Sequence, residues 1–216
     1  NLHTIYSYYG DPISLAQVIR EVPALPGGGT LGAWLATHAL GRGYRIEIYS
    51  YNLNLFDPTW FERDSDFIRN KLLLQKKFKQ DAKLRRATDA YVEFLDRNGC
   101  LRHAVLNREL IRRYLERGIP VLVGLSATYL YNSAREYGPY NSYDDLRGEP
   151  TGHFVVLYGY NQRTSDVSVA DPLHGNPLAG GPHYEVEIDR VINAVLLGIV
   201  TYDANLVIIS PGAGAE

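Results

Sequence analysis

Gly152-His153-Phe154-Val155-Val156-Leu157-Tyr158-Gly159-Tyr160, then Asn161-Gln162-Arg163-Thr164, then Val167-Ser168-Val169-Ala170-Asp171-Pro172, decides how this chain reads. The apolar run 154–160 predicts a buried strand, the polar tetrad a hairpin turn, and the alternation at 167–170 a second strand. An antiparallel return of this length sets the first residue of one strand beside the last of its partner. Asp171 is therefore expected within reach of the His153 imidazole. A carboxylate there fixes the ring's tautomer and stabilises its protonated form, the base-and-orienter half of a nucleophilic triad. On these residues alone, a structural histidine with a strand-ending Asp-Pro turn accounts for the pattern about as well.

Working outward, the apolar run 120–125 predicts another buried strand, and 184–188 and 206–209 two more. The first half is different. Only 45–49 alternates as a strand. Helices are expected at the chain start up to Gly10, at 15–22, from Thr30 as cap to Gly41-Arg42-Gly43, at 66–78, at 83–97 and at 107–117. Helices first and strands afterwards predict an α+β fold, with N-terminal helices packed on a C-terminal antiparallel sheet.

Composition sets bounds. The chain has 216 residues, 45% hydrophobic and 21% charged, with a formal net charge of -2. That is ordinary globular usage, long enough to bury a core without staples or metals. No basic block suggests nucleic acid, and no apolar run reaches the roughly 18 residues of a membrane span. The single cysteine excludes an internal disulfide framework, so a soluble, cytoplasmic setting is expected. Methionine is absent, so Asn1 reads as lying part-way into a longer chain. One domain is expected over 1–210, truncated at its N-terminus and with a helical insertion at about 62–117, followed by a flexible tail at 211–216.

His-Phe-Val-Val, then Gly-Tyr-Asn, then Val-Ala-Asp-Pro resembles the histidine and aspartate segments of a family of papain-like cysteine peptidases. These bacterial enzymes process double-glycine leader peptides of bacteriocins. Asn1-Leu2-His3-Thr4-Ile5-Tyr6-Ser7-Tyr8-Tyr9-Gly10 followed by Ile13-Ser14-Leu15 looks like the stretch that continues that family's Cys-Gly-Pro segment. The resemblance covers the first fifty residues and about 120–210, and not the charged helices between. It implies a papain-like fold, a catalytic His153 and Asp171, and a nucleophilic cysteine just before Asn1 with an oxyanion-binding glutamine further upstream. A helix N-terminus suits such a thiol, because its dipole and free amides lower the pKa.

Other chemistries fit these residues less well. Cys100 follows Arg97-Asn98-Gly99 at a turn into a short strand, not at a helix N-terminus, and reads as a small buried hydrophobe. A metal hydrolase built on His153, Asp171 and His174 lacks any recognised ligand spacing, so neither metal nor cofactor is expected. The segment 129–150 is a long, tyrosine-rich loop ahead of His153. Such loops usually bind or cover substrates. Ser126, Tyr137, Tyr140, Asp144 and Asp145 are the expected contacts for a peptide or a small amide-containing substrate. The expected activity is that of a cysteine peptidase or amidase-like thiol hydrolase. The alternative is a peptidase fold without its nucleophile, acting as a peptide-binding or regulatory module.

Overall fold

Helix ends organise the first half of the chain. In the computed structural model, which describes residues 1–26 and 28–212, α1 (Leu2–Tyr8) stops where Gly10 turns left-handed, φ +71. The Asp11 N–H then bonds the Tyr6 carbonyl and the Gly10 N–H that of Ser7, which satisfies carbonyls the helix leaves free. Ser14 Oγ accepts from Gln17 N and starts α2 (Leu15–Glu21). α3 (Gly32–Gly41) ends in the same left-handed way at Gly43. Its start departs from expectation: Leu31 is the N-cap, without a side-chain bond, and Thr30 donates to the Pro23 carbonyl instead.

β1 (Arg45–Ser50) buries Ile46 and Ile48 and carries α3 against it. α4 (Ser65–Phe78) and α5 (Ala82–Asp96) start on Asp64 and Asp81, whose carboxylates accept from Phe67 N and Leu84 N. The two helices pack together, and α5 also packs on α3, around Leu72, Ala87 and Phe94. β2 (Cys100–Arg102) lies parallel to β1, with Ile48 level with Leu101. Parallel neighbours need a long crossover, which α4 and α5 provide.

The described residues form two compact units: 2–104 with 206–212, and Asn1 with 105–205. The elements above belong to the first, the N-terminal unit. The second, C-terminal unit begins with α6 (Arg108–Leu115), capped by Asn107. β3 (Val121–Ser126) follows, buried along its whole length. Each of its large apolar side chains contributes roughly 1.5–3 kcal/mol by leaving water. Then come α7 (Ala127–Tyr131), a two-strand hairpin β4 (Glu136–Tyr137) and β5 (Ser142–Tyr143), and the long β6 (Gly152–Asn161). β7 (Asp166–Ala170), β8 (His183–Glu187) and α8 (Ile188–Leu197) complete the unit.

In the C-terminal unit the strands run in the order β3-β6-β7-β8, every pairing antiparallel. α6 packs on β3 and β6, and α8 on β3. The last strand, β9 (Asn205–Ser210), gives the N-terminal unit the order β2-β1-β9. The α+β class is thus as expected, with the antiparallel sheet in the C-terminal half of the sequence. Of the expected tail, residues 213–216 lie outside the described residues.

Candidate active site

His153 sits at the mouth of β6, and the hairpin register explains why Asp171 reaches it. Val156 pairs with Ala170, which sets Asp171 one step on, level with Val155. Side chains two residues apart share a face, so Asp171 meets His153 on the diagonal. His153 Nε2 lies 2.8 Å from Asp171 Oδ1. The Asp171 side chain is fully buried, whereas 20% of the histidine side chain remains exposed.

The carboxylate takes four donors. Oδ1 accepts from His153 and, at 2.9 Å, from the Leu173 N–H across Pro172, an Asx turn. Oδ2 accepts the Tyr131 hydroxyl at 2.6 Å and the Tyr184 hydroxyl at 2.8 Å. Burial alone pushes the Asp171 carboxyl up. The bonds from His153, Tyr131 and Leu173 outweigh it and hold the group down at about 2. Burial, followed by the bond to Asp171, pushes both tyrosine hydroxyls up, so they remain protonated donors.

Tyr131 comes from α7 and Tyr184 from β8, where it pairs with Val169. The Tyr131 ring also lies 6.1 Å from that of His153, tilted by 55°. Neither tyrosine stands out in the sequence. Tyr131 is one of many in its loop, Tyr184 one letter of an alternating strand, and only tertiary structure joins them at Asp171.

With Nε2–H donating to the carboxylate, Nδ1 is the ring atom left to take or give a proton. Asn1 lies in the same unit. Its Nδ2 donates to the Phe154 carbonyl at 2.5 Å.

The loop ahead of His153 is more ordered than a plain loop. Ala127 N bonds the Thr151 carbonyl at 2.8 Å, and Thr151 N bonds Thr128 Oγ1 at 3.0 Å, so both ends are pinned together. Between them β4 and β5 form the hairpin, bridged at Glu136 and Glu149. Ser126 is buried and spends its hydroxyl on Tyr129 N as the α7 cap. Asp144 accepts from the N–H groups of Leu146 and Arg147 and from Arg147 Nε, and these bonds hold its carboxyl low. The Arg147 guanidinium in turn stands 4.5 Å from the Tyr137 ring centre. Tyr140, at the hairpin tip, is 91% exposed, and the Asp145 side chain is also open while its carbonyl accepts from Arg135.

Cys100 begins β2, and burial pushes its thiol up, the reverse of what a nucleophile needs. Among the described residues no three His, Cys, Asp or Glu side chains gather as a metal requires. No helix among them is long and apolar enough to cross a membrane.

A family model described as the Peptidase_C39 like family matches residues 76–181. The match runs through α5, α6 and both members of the His153–Asp171 pair, and so includes much of the segment 62–117 that the sequence resemblance left out. A crystal structure of a C39-like peptidase from Bacillus anthracis is 19% identical, over 47% of this chain and 46% of that one, with a TM-score of 0.26. This chain thus spans under half of that protein. No curated protein matches. Over 76–181, including the paired His153 and Asp171, the chain is therefore similar to the C39-like peptidases.

Proposed function

We propose that this chain carries the acid–base half of a cysteine peptidase-like thiol hydrolase. The observation that carries the proposal is the partly exposed His153 imidazole fixed through Nε2 on a fully buried, four-donor carboxylate. The family match over 76–181 supports the same class.

In the proposed reaction His153 Nδ1 removes the proton of a cysteine thiol just before Asn1. The thiolate attacks an amide carbonyl and forms a C–S bond. The imidazolium, held by Asp171, returns its proton to the leaving nitrogen as the C–N bond breaks. His153 then draws a proton from water, which hydrolyses the acyl thioester and frees the thiol. One feature supports a thiol entering from this side: the Asn1 side chain donates to the Phe154 carbonyl, next to His153. The substrate is a peptide or small amide held under the 129–150 segment, with the open Tyr137, Tyr140 and Asp145 as contacts. Ser126 and Asp144 shape that segment from within.

The test uses the protein with the residues that precede Asn1. Iodoacetamide labelling is followed against pH by peptide mass mapping. A fast-reacting thiol just before Asn1, slowed about a hundredfold at neutral pH by His153→Ala, is the expected result. No labelled residue other than Cys100, or labelling indifferent to His153→Ala, would sink the hydrolase and leave a peptide-binding module.

A further inference from the structure

The N-terminal unit contains a second polar site that plays no part in the chemistry above. Glu21, Trp34, Thr37, His38, Arg42 and Arg97 line a cavity of about 360 Å³, at the small end of the range for ligand sites. One wall is pre-built. The Tyr6 hydroxyl, kept protonated by burial, donates to His38 Nδ1 at 2.7 Å, and His38 Nε2–H donates to Glu21 Oε2 at 3.0 Å. This relay ties α2 to α3 and fixes the Glu21 carboxylate at the cavity. The bonds from Gln17 and His38 hold its carboxyl low, so it stays ionised.

The Thr37 hydroxyl supplies the independent sign of a ligand. Thr37 is only 7% exposed, and its Oγ1 has no hydrogen-bond partner. Buried hydroxyls are normally satisfied, and this one belongs to a residue lining the cavity.

We propose that this cavity binds a small zwitterion carrying an ammonium and a carboxylate, a free amino acid or a dipeptide. The charges select that class. The carboxylates of Glu21 and Glu93 balance the guanidiniums of Arg42 and Arg97 around the cavity, so neither a polyanion nor a polycation gains. A dipolar ligand satisfies both signs at once. Glu21 accepts from Gln17 and His38 but keeps lone pairs for an ammonium. Arg97 gives one N–H to Glu93 and retains donors for a carboxylate. Arg42 is the less available cation, being bound twice to Asp11. The Trp34 ring offers an apolar face for the ligand's side chain, and Thr37 gains the partner it lacks.

Isothermal titration of the full chain with a panel of L-amino acids and dipeptides tests this, each alongside its N-acetyl and its C-terminal amide form. Saturable binding of at least one free zwitterion is expected, with either blocked form about tenfold weaker. Which of the two ligand groups binds more tightly assigns the source. Glu21→Gln should weaken the free ligand but not its N-acetyl form further, and Arg97→Gln should do the same with respect to the amide. Thr37→Val should weaken binding about fivefold without lowering Tm, because its hydroxyl has no folding partner to lose. No saturable binding at millimolar ligand, equal binding of blocked and free forms, or a Thr37→Val variant with lowered Tm and unchanged affinity would each overturn the proposal.

Discussion

Asp171→Asn tests the electrostatics of the site quantitatively. The Asp171 carboxyl titrates at about 2 in the folded protein, against an ordinary value of 3.8. That gap of about 1.8 corresponds to about 2.4 kcal/mol at 1.36 kcal/mol per pH unit. Because the folded value lies below the unfolded one, the stabilisation is complete above the unfolded pKa and is lost as pH falls towards 2. Linkage gives about 2.4 kcal/mol at about pH 5 and about 1.3 kcal/mol at about pH 3. Asparagine nearly preserves the shape. Its oxygen can keep the His153 and Leu173 donors, and its amide can face the Tyr131 and Tyr184 hydroxyls, which can turn to accept. It cannot titrate. Urea unfolding of both proteins at the two pH values should show wild type losing about 1 kcal/mol more than the variant on acidification. Starting at about pH 5 keeps ordinary histidine titration out of the window. A difference between the proteins that does not change with pH would refute the account of Asp171 as an anion held by donors.

Tyr131→Phe and Tyr184→Phe each remove one donor from Oδ2. Each should raise the Asp171 pKa, read by carboxyl NMR, and cost about 1–2 kcal/mol in urea unfolding. Gly152→Ala should be far worse. Its Cβ would lie 1.8 Å from Asp203 Oδ2 and 2.7 Å from Thr201 Oγ1, so a loss of about 3 kcal/mol or failure to fold is expected, measured by the same unfolding curves. Asp64→Ala removes the α4 cap and should cost about 1 kcal/mol with no change in the Asp171 titration.

The legible parts of the sequence were those with local signals. Asp64, Asp81 and Asn107 accept from the third residue ahead, and Gly10 and Gly43 take left-handed turns, so α4, α5, α6 and the ends of α1 and α3 fall within a residue or two of expectation. The β6–β7 hairpin was readable because a buried run, a polar turn and an alternating run adjoin. α8 was legible but masked. Ile188, Val191 and Val195 repeat at helical spacing and are fully buried, yet reading Ile188 as the end of β8 hides the start. The hairpin β4–β5 carries no such signal, since it depends on Arg135, Asp144 and Arg147 meeting across the loop. Thr30 shows the opposite error: a good cap residue whose hydroxyl finds the Pro23 carbonyl instead.

The energetics of the His153–Asp171 pair argue against a purely structural histidine. A ring needed only for packing is satisfied by a backbone carbonyl. Here a carboxylate has been taken fully out of water, at a desolvation cost that recruits two tyrosine hydroxyls, a backbone amide and the imidazole to offset it. An apolar cluster of the same volume serves stability at least as well. What the buried anion adds, and an apolar cluster does not, is a fixed orientation for a ring whose edge still reaches solvent. Such an orientation serves the reaction proposed above, in which Nδ1 faces the incoming thiol. The other donors on Asp171 fix the carboxylate in its turn. Removing Tyr131 or Tyr184 takes a hydroxyl from Oδ2 and leaves the carboxylate less firmly placed beside His153, so in the proposed reaction these two tyrosines act through Asp171.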